Sequence, residues 1–406
     1  MISLKKSKQG RVLGINSKVG RDINRAVMLN AIRQHQPISR AKISALTNLN
    51  KSTVSSIVAS LLEEDLLVES IDRNGGVGRN PLNLSIKNGK HFVGAISFDA
   101  PSSRLAIVDI DGTIKARKDI RTSTGTPEVV VAECITGLNA LRSKLGPHRF
   151  HGIGASVAGI VDSAQSRVVY AANLGWSNIN LGNIIRDQVP DIELVSVEND
   201  AKASALAELL LGKHTLSSTN LVYLLLTSGI GAGIAVGGRI LSGNSHAAGE
   251  VGHMTVVDGG EPCACGNAGC WELYASDRAP VRWFANAKNA SPNDRARYKL
   301  SDVIDTARAG DEDARGALRL WAQHIGVGIG DMICILDPEV VIVGGSITQI
   351  WDMVSDDVNA AARGRGAFAR QRTATILPTS LRDDPPLLGA AALSIRKIFA
   401  DFRIAL

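Results

Sequence analysis

The sequence predicts a two-part protein: a small α+β module of three helices and a hairpin, then a large α/β domain made of two similar halves. Three observations carry this. Apolar residues recur at helical spacing in three short runs near the N-terminus, with a glycine-containing hairpin after them. From His91 the pattern turns to strands, and a strand–turn–strand opening occurs twice, each time followed by alternating helices and strands. With 406 residues, 45% of them hydrophobic, the chain can bury more than one core. No run is long enough to span a bilayer, and the basic N-terminus lacks the apolar segment of a signal peptide. A soluble, cytoplasmic protein with no membrane partner is therefore expected.

The small module comes first. In NRAVMLNAIRQHQPISRAKISALTNLNKSTVSSIVASLLEEDLLVE, which begins at Asn24, Val27, Ala31 and Ile32 form a short helical stripe. Pro37 cannot continue it. Ser39 can cap a second helix that turns Ile43 and Leu46 inward, and TNLN is short enough only for a tight turn. Val54, Ile57, Val58, Leu61 and Leu62 then repeat at the spacing of one buried helix face. The opposite face of the first turns carries Lys51, Ser52, Thr53, Ser55 and Ser56: a cation and small donors at a helix N-terminus. Next, LLVES and PLNLSI flank IDRNGGVGRN, where Asn74-Gly75-Gly76 supplies a hairpin tip and Arg73 and Arg79 its charge. Net charge is +6, yet up to residue 51 the chain holds eleven Lys and Arg against one acid, Asp22. A solvated basic tail, or a three-helix interaction module, would explain parts of this. The basic wing decides for a winged helix-turn-helix over residues 1–85 with a basic N-terminal arm, whose partner is double-stranded DNA.

The large domain follows. HFVGAISFDAPSSRLAIVDIDGTIKARKDI reads as a three-strand meander with turns near Ala100-Pro101 and Asp111-Gly112. NLVYLLLTSGIGAGIAVGGRILSG repeats the plan as buried strand, Gly-rich turn, strand and turn. Helical patterns lie in PEVVVAECITGLNALRSKL, NDAKASALAELLLGK and DARGALRLWAQHIGVGIGDMICIL. Cys134 and Cys334 fall within such patterns and read as core residues.

Seven motifs then appear in order: GASVAGIVD, NLGW, ENDAKASALAE, SGIGAGI, GEVGH, CACGNAGCWE and DPEVVIVGG. On them, the chain from about residue 88 to its end resembles the ROK family, which comprises repressors, open reading frames of unknown role and sugar kinases. The resemblance implies an actin/hexokinase-like (ribonuclease H-like) α/β fold of two lobes, residues 86–198 with 385–406 and residues 199–384. With the winged helix in front, the arrangement is that of the family's sugar-responsive repressors, of the xylose and N-acetylglucosamine type. Asp65 stands where the family often has a helix-ending glycine.

Cys263 and Cys265 are one residue apart, a spacing that disfavours a disulfide between them. Together with Cys270 and His253 they suit tetrahedral zinc with no open position, and the resemblance implies a zinc ion, one per chain, on these four. The acids around them read differently. A carboxylate can accept two hydrogen bonds from neighbouring hydroxyls, as sugar recognition requires. Taken alone, Asn199-Asp200 would be a helix cap. In the family's sugar sites the residues matching Asn199, Asp200, Glu250, His253 and Glu272 surround the hexose, and all five are present. The resemblance thus implies a small-molecule sugar effector, with zinc fixing the loop that presents Glu250 and Glu272.

Asp200 matches the general base of the family's kinases. Phosphoryl transfer also needs backbone N–H groups around the phosphates. Where the kinases have Asp-x-Gly-Gly-Thr, this chain has Asp99-Ala100-Pro101-Ser102-Ser103, and Pro101 removes an N–H. Thr227-Ser228-Gly229 replaces the usual Gly-Thr-Gly, whereas Gly344-Gly345 survive. The expectation is a non-enzymatic regulator: a repressor of carbohydrate uptake and catabolism genes, homodimer or dimer of dimers, in which Asp200 is a vestigial base. The alternative is a sugar kinase with an attached DNA-binding module, and a repressor controlled by a protein partner is a third reading. ARGRGAFARQR (362–372) reads as solvated surface, with added phosphate contacts as the other option.

Overall fold

The N-terminal module owes its outline to three local signals. They are seen in a computed structural model of the chain, which describes residues 17–71, 82–122, 125–192, 194–214, 218–295, 297–364, 371, 374–381 and 383–399. Helix α1 (Ser17–His35) ends just ahead of Pro37, which has no N–H to continue it. After the two-residue strand β1 (Ile38–Ser39), the Ser39 hydroxyl accepts a hydrogen bond from the Lys42 N–H and opens α2 (Arg40–Thr47). Asn48 then takes a left-handed φ of 55°, and the Asn50 side chain accepts from the Thr53 N–H to open α3 (Lys51–Glu63). Strands β2 (Leu67–Ile71) and β3 (Leu82–Ile86) pair antiparallel, and β1 adds to β3 in the order β1-β3-β2. The wing tip, with Arg73 and Arg79, lies outside the described residues, as do Lys5, Lys6, Lys8 and Arg11 of the basic arm.

The core of this module corrects two expectations. Ile32 and Ile43 are buried, as are Val54, Ile57, Val58 and Leu61 of α3. Val27, however, is 43% exposed and Leu46 50%. On α1 the stripe that packs runs through Met28, Leu29 and Ile32, one residue round from the expected one. On α2 eight residues make little more than two turns, and Ile43 alone is buried.

The two halves of the large domain share one strand order. In the first, β4 (His91–Phe98), β5 (Ser102–Asp109) and β6 (Ile114–Arg121) form the meander. Helix α4 (Pro127–Arg142) leads to β7 (Arg149–Val157). A small antiparallel sheet of β8 (Ile160–Asp162), β9 (Arg167–Ala171) and β10 (Trp176–Ile179) follows. Then come α5 (Leu181–Gln188) and β11 (Val195–Asn199), and the main sheet reads β6-β5-β4-β7-β11. The second half opens with α6 (Asp200–Leu211) and the strands β12 (Leu221–Leu226), β13 (Ile230–Val236) and β14 (Arg239–Ile240). Its helices are α7 (Glu272–Ala275), α8 (Arg278–Ala287), α9 (Pro292–Arg295), α10 (Leu300–Arg308) and α11 (Glu312–Leu336). It closes with β15 (Val340–Gly345), α12 (Trp351–Arg363), β16 (Thr375–Pro378) and α13 (Pro385–Phe399). Its sheet reads β14-β13-β12-β15-β16, the same plan again. Every residue of β12 is buried, which accounts for its unbroken apolar run.

Cys134 is buried on α4, as expected of a core residue, but Cys334 is exposed. It sits in the last turn of α11, beside Ile335 at 72% exposure, on the helix face turned away from the core that Met332, Ile333 and Leu336 pack on. The stretch 362–372 lies largely outside the described residues.

The chain divides into two compact units. The first comprises Met1–Ala155, Asn180–Val197 and Ala390–Leu406; the second comprises Ser156–Ile179 and Glu198–Gly389. The winged module therefore belongs to the same unit as the first main sheet. The second unit contains Asn199, Asp200, Glu250, His253 and Glu272 together.

Candidate functional site

Glycines in SGIGAGI let the second unit bring these residues to one place. A methyl group on Gly231 would stand 3.1 Å from the Ala201 Cβ, and one on Gly233 would stand 2.4 Å from the Ala205 Cβ, so α6 lies directly against β13. A methyl on Gly252 would come within 2.5 Å of the Ile230 carbonyl oxygen, which sets the short turn Val251–His253 on the start of the same strand. Gly229 faces Glu272, whose carboxylate oxygen would lie 3.4 Å from an added Cβ. The start of β13 thus gathers the first turn of α6, the turn after Glu250 and the start of α7.

Asn199 is the N-cap of α6: its Oδ1 accepts from the Lys202 N–H at 3.0 Å. Its Nδ2 donates to the Gly159 carbonyl and to Asp200 Oδ1, both at 3.0 Å. The capping role is real, and Asp200 is placed by the same contact at the first position of the helix. Glu250 is exposed, yet its surroundings lift its carboxyl above the usual range: desolvation is the main cause, aided by Glu272 and opposed by His253 and Lys202.

His253, Cys263, Cys265 and Cys270 can each turn a ligand atom to within 4.8 Å of the others. Cys265 Sγ and Cys270 Sγ are 3.6 Å apart, and Cys263 Sγ lies 3.8 Å from His253 Nδ1. A tetrahedral zinc with Zn–S bonds of about 2.3 Å needs sulfurs about 3.8 Å apart, so the donor set and spacing fit a metal ion. The loop is built for this close approach. Cys263 N–H donates to the Asn267 carbonyl at 2.8 Å, and Trp271 N–H donates to the Met254 carbonyl at 2.8 Å. Glu272 adjoins the cluster, accepting from Cys263 Sγ at 3.1 Å with His253 Nδ1 at 3.5 Å. Nδ1 is the ring nitrogen of His253 that faces the cluster.

In the two turns that the sequence resemblance matches to the kinase phosphate loops, several donors are engaged internally. In the β4–β5 turn the Ala100 N–H donates to Asp99 Oδ1 at 2.8 Å, and Pro101 has none. The Ser102 hydroxyl donates to the Ile120 carbonyl at 3.0 Å, and Ser103 Oγ shares a hydrogen bond with Thr122 Oγ1 at 2.8 Å. In the other turn the Thr227 N–H donates to the Gly229 carbonyl at 2.9 Å.

On α3, Lys51, Ser52, Ser55 and Ser56 are exposed, and Thr53 is half-buried. Ser52 is partly committed, donating to Asn50 Oδ1 at 2.8 Å. Two cations of the basic N-terminal region have internal partners instead. Arg25 grips Glu64 with bonds of 2.8 and 2.7 Å, and Arg40 pairs with Glu69 at 2.5 Å.

Three residues of consequence escaped the sequence reading. Lys202 is buried although charged, Asp277 carries a buried oxygen without a partner, and His246 takes a left-handed φ of 63°. The first had a local signal, a lysine inside the apolar pattern of ENDAKASALAE; the others had none.

Two five-stranded sheets of one topology, joined to a helix-turn-helix with a β-wing, define an actin-like α/β domain carrying a module of DNA-binding type. The chain belongs to the ROK family, which it matches over residues 94–397. It is 30% identical to the xylose repressor of Bacillus spizizenii, over 92% of this chain and 95% of that protein. Among solved structures, a ROK family transcriptional regulator described as a homologue of the E. coli MLC protein superposes with a TM-score of 0.79. At 24% identity it covers 94% of this chain and 97% of its own. A ROK family glucokinase from Streptomyces griseus, solved with glucose and AMPPNP, gives a TM-score of 0.66 and 29% identity over 74% of this chain and 98% of its own.

Proposed function

We propose that the chain is a sugar-responsive transcriptional repressor of carbohydrate uptake and catabolism genes, acting in the cytoplasm. Among the described residues, no helix is long and apolar enough to cross a membrane. The observation that carries the reading is the likeness to a xylose repressor through both parts of the chain, over 92% of its length. The winged module meets double-stranded operator DNA with α3 in the major groove, Lys51, Ser52, Thr53, Ser55 and Ser56 toward it, and Arg73 and Arg79 on the wing. Half-sites of an operator are read by a two-fold pair, so a homodimer or a dimer of dimers is the working form.

Asn199, Asp200, Glu250, His253 and Glu272 hold the sugar. Carboxylates and an amide at the end of α6 and around the Val251–His253 turn offer the paired acceptors that vicinal hydroxyls need. One zinc ion per chain, held by His253, Cys263, Cys265 and Cys270, would tie the loop that carries Glu250 to the start of α7, where Glu272 stands; its contribution is structural. Phosphoryl transfer has no part in this reading, because the amide at Ala100 is taken and Pro101 offers none.

The test is operator binding by fluorescence anisotropy, using the DNA upstream of the chain's own operon, with and without D-xylose, D-glucose or N-acetyl-D-glucosamine. A sugar that binds should weaken operator affinity by about 5–150-fold, the range of typical coupling energies. If every sugar that binds leaves operator affinity unchanged, the site is not the regulatory input.

A further inference from the structure

Residues 242–250 lead from β14 into Glu250, and little in their own backbone holds them. Gly243, His246 and Gly249 all have left-handed φ values, of 77°, 63° and 98°. The internal hydrogen bonds are long: His246 N–H to the Gly243 carbonyl at 3.4 Å, Ala248 N–H to the Ser242 carbonyl at 3.2 Å, and Glu250 N–H to the Ala247 carbonyl at 3.3 Å. At the far end the segment is pinned, because the Ala232 N–H donates to the Gly249 carbonyl at 2.8 Å and leaves no room for a Cβ on Gly249. At the near end the pin is a side chain. Lys202, 2% exposed on α6, donates from Nζ to the His246 carbonyl at 2.7 Å and more weakly to the Ser242 carbonyl at 3.5 Å.

We infer that Lys202 is a positioning residue of the proposed sugar site: its ammonium clamps residues 242–246 to α6 and so sets Glu250 relative to Asn199 and Asp200. The inference rests on the sugar reading of those residues. A lysine is rarely buried without a reason, since removing an ammonium from water is expensive unless hydrogen bonds replace it. Burial lowers the Lys202 pKa, while Glu198 and Glu250 favour its charge. The bonds go to backbone carbonyls of a segment with three residues of positive φ. The His246 ring itself lies 3.6 Å from the buried carboxylate of Asp162. Lys202 also lies two residues past Asp200, and its own N–H is the one that Asn199 caps. One residue therefore touches the cap on one side and the Glu250 segment on the other.

Lys202→Met keeps the length and apolar stem and removes the clamp. In the unliganded protein, hydrogen–deuterium exchange should rise within residues 242–250 and stay unchanged elsewhere. Zinc content and operator affinity without sugar should match wild type. Titrated with D-xylose, D-glucose and N-acetyl-D-glucosamine, the variant should bind the sugar that wild type binds about tenfold more weakly or worse, because the site is no longer pre-organised. Lys202→Gln, which keeps one donor end, should fall between the two and carries the same comparison if the Met variant does not fold. Exchange that rises throughout the second unit, or sugar affinity within twofold of wild type, would overturn the inference. If none of the three sugars binds wild type, the sugar reading fails for these probes, and the exchange comparison in unliganded protein still decides the clamp.

Discussion

Asp277 should weaken the protein at neutral pH, and its removal should strengthen it. The residue precedes α8; its N–H donates to the Thr227 carbonyl at 2.9 Å, and Oδ2 accepts from the Ser346 hydroxyl at 2.6 Å. Oδ1 is buried with no hydrogen-bond partner. Burial pushes the carboxyl up from 3.8 to about 6, and the Ser346 hydrogen bond opposes this. At about 1.4 kcal/mol per pKa unit, a shift of this size costs about 3 kcal/mol once the group is ionised in both states. Because the folded-state value is raised, the native protein holds the proton more tightly than the unfolded chain does. The cost is therefore absent below about pH 3.8, grows as pH rises toward 6, and is constant above. Asp277→Asn keeps the shape and can still accept from Ser346 but cannot ionise. It should be more stable than wild type by about 1–3 kcal/mol at pH 8, and by roughly half as much at pH 5. All five tryptophans (Trp176, Trp271, Trp283, Trp321 and Trp351) lie in the second unit, so urea unfolding followed by tryptophan fluorescence reports on the unit that holds Asp277. Equal stability at pH 8, or an advantage greater at pH 5 than at pH 8, would refute the reasoning.

Purified protein should contain close to one zinc per chain by elemental analysis, and Cys263→Ser or Cys270→Ser should lose both the metal and the sugar response. An empty site in fresh, unchelated wild type would count against zinc. Lys51→Ala should weaken operator binding and reduce the slope of log K against log salt by about 1 if the exposed ammonium meets a phosphate; an unchanged slope places it elsewhere. With any sugar that binds, ATP-dependent formation of sugar phosphate should be negligible in a coupled assay, and substantial turnover abolished by Asp200→Asn would show a working kinase.

The parts of this fold that were legible in the sequence are those set by local periodicity. α3 announced its buried face because Val54, Ile57, Val58 and Leu61 fall on one stripe, and the repeated strand order followed from two similar openings. The side of a short helix that turns inward is a tertiary property, which is why Val27 and Leu46 went astray. Charge partners are harder still: Glu64 is 39 residues from Arg25, and nothing near either residue signals the pair. Gly231 and Gly233 are strand positions whose missing side chains admit α6, a requirement visible only once the helix is in place. Within the candidate site, residue types were legible and their setting was not: Lys202 is conspicuous inside an apolar pattern, but its partners are carbonyls, which a sequence cannot display.

A sugar can alter DNA binding only if it favours one arrangement of the first unit, where the winged module resides. The chain passes between the units within β7, β11 and α13, and once more between Ile179 and Asn180. β11 matters most. Its residues through Val197 belong to the first unit, and its last residue, Asn199, caps α6 beside Asp200. A ligand that engages Asn199 thus acts on a strand continuous with the first sheet, in which β11 adjoins β7 and β7 adjoins β4. β4 begins at His91, whose Nδ1 is 2.8 Å from His151 Nε2 on β7 and whose Nε2 is 3.0 Å from the Asp65 carbonyl. Asp65 stands two residues past the end of α3, with a left-handed φ of 63° and an ion pair to Lys87. A free tether would insulate α3 from such a strand. Here the helix end is hydrogen-bonded to the first strand of the sheet, so a small displacement of that sheet has a direct path to the α3 face proposed to meet DNA.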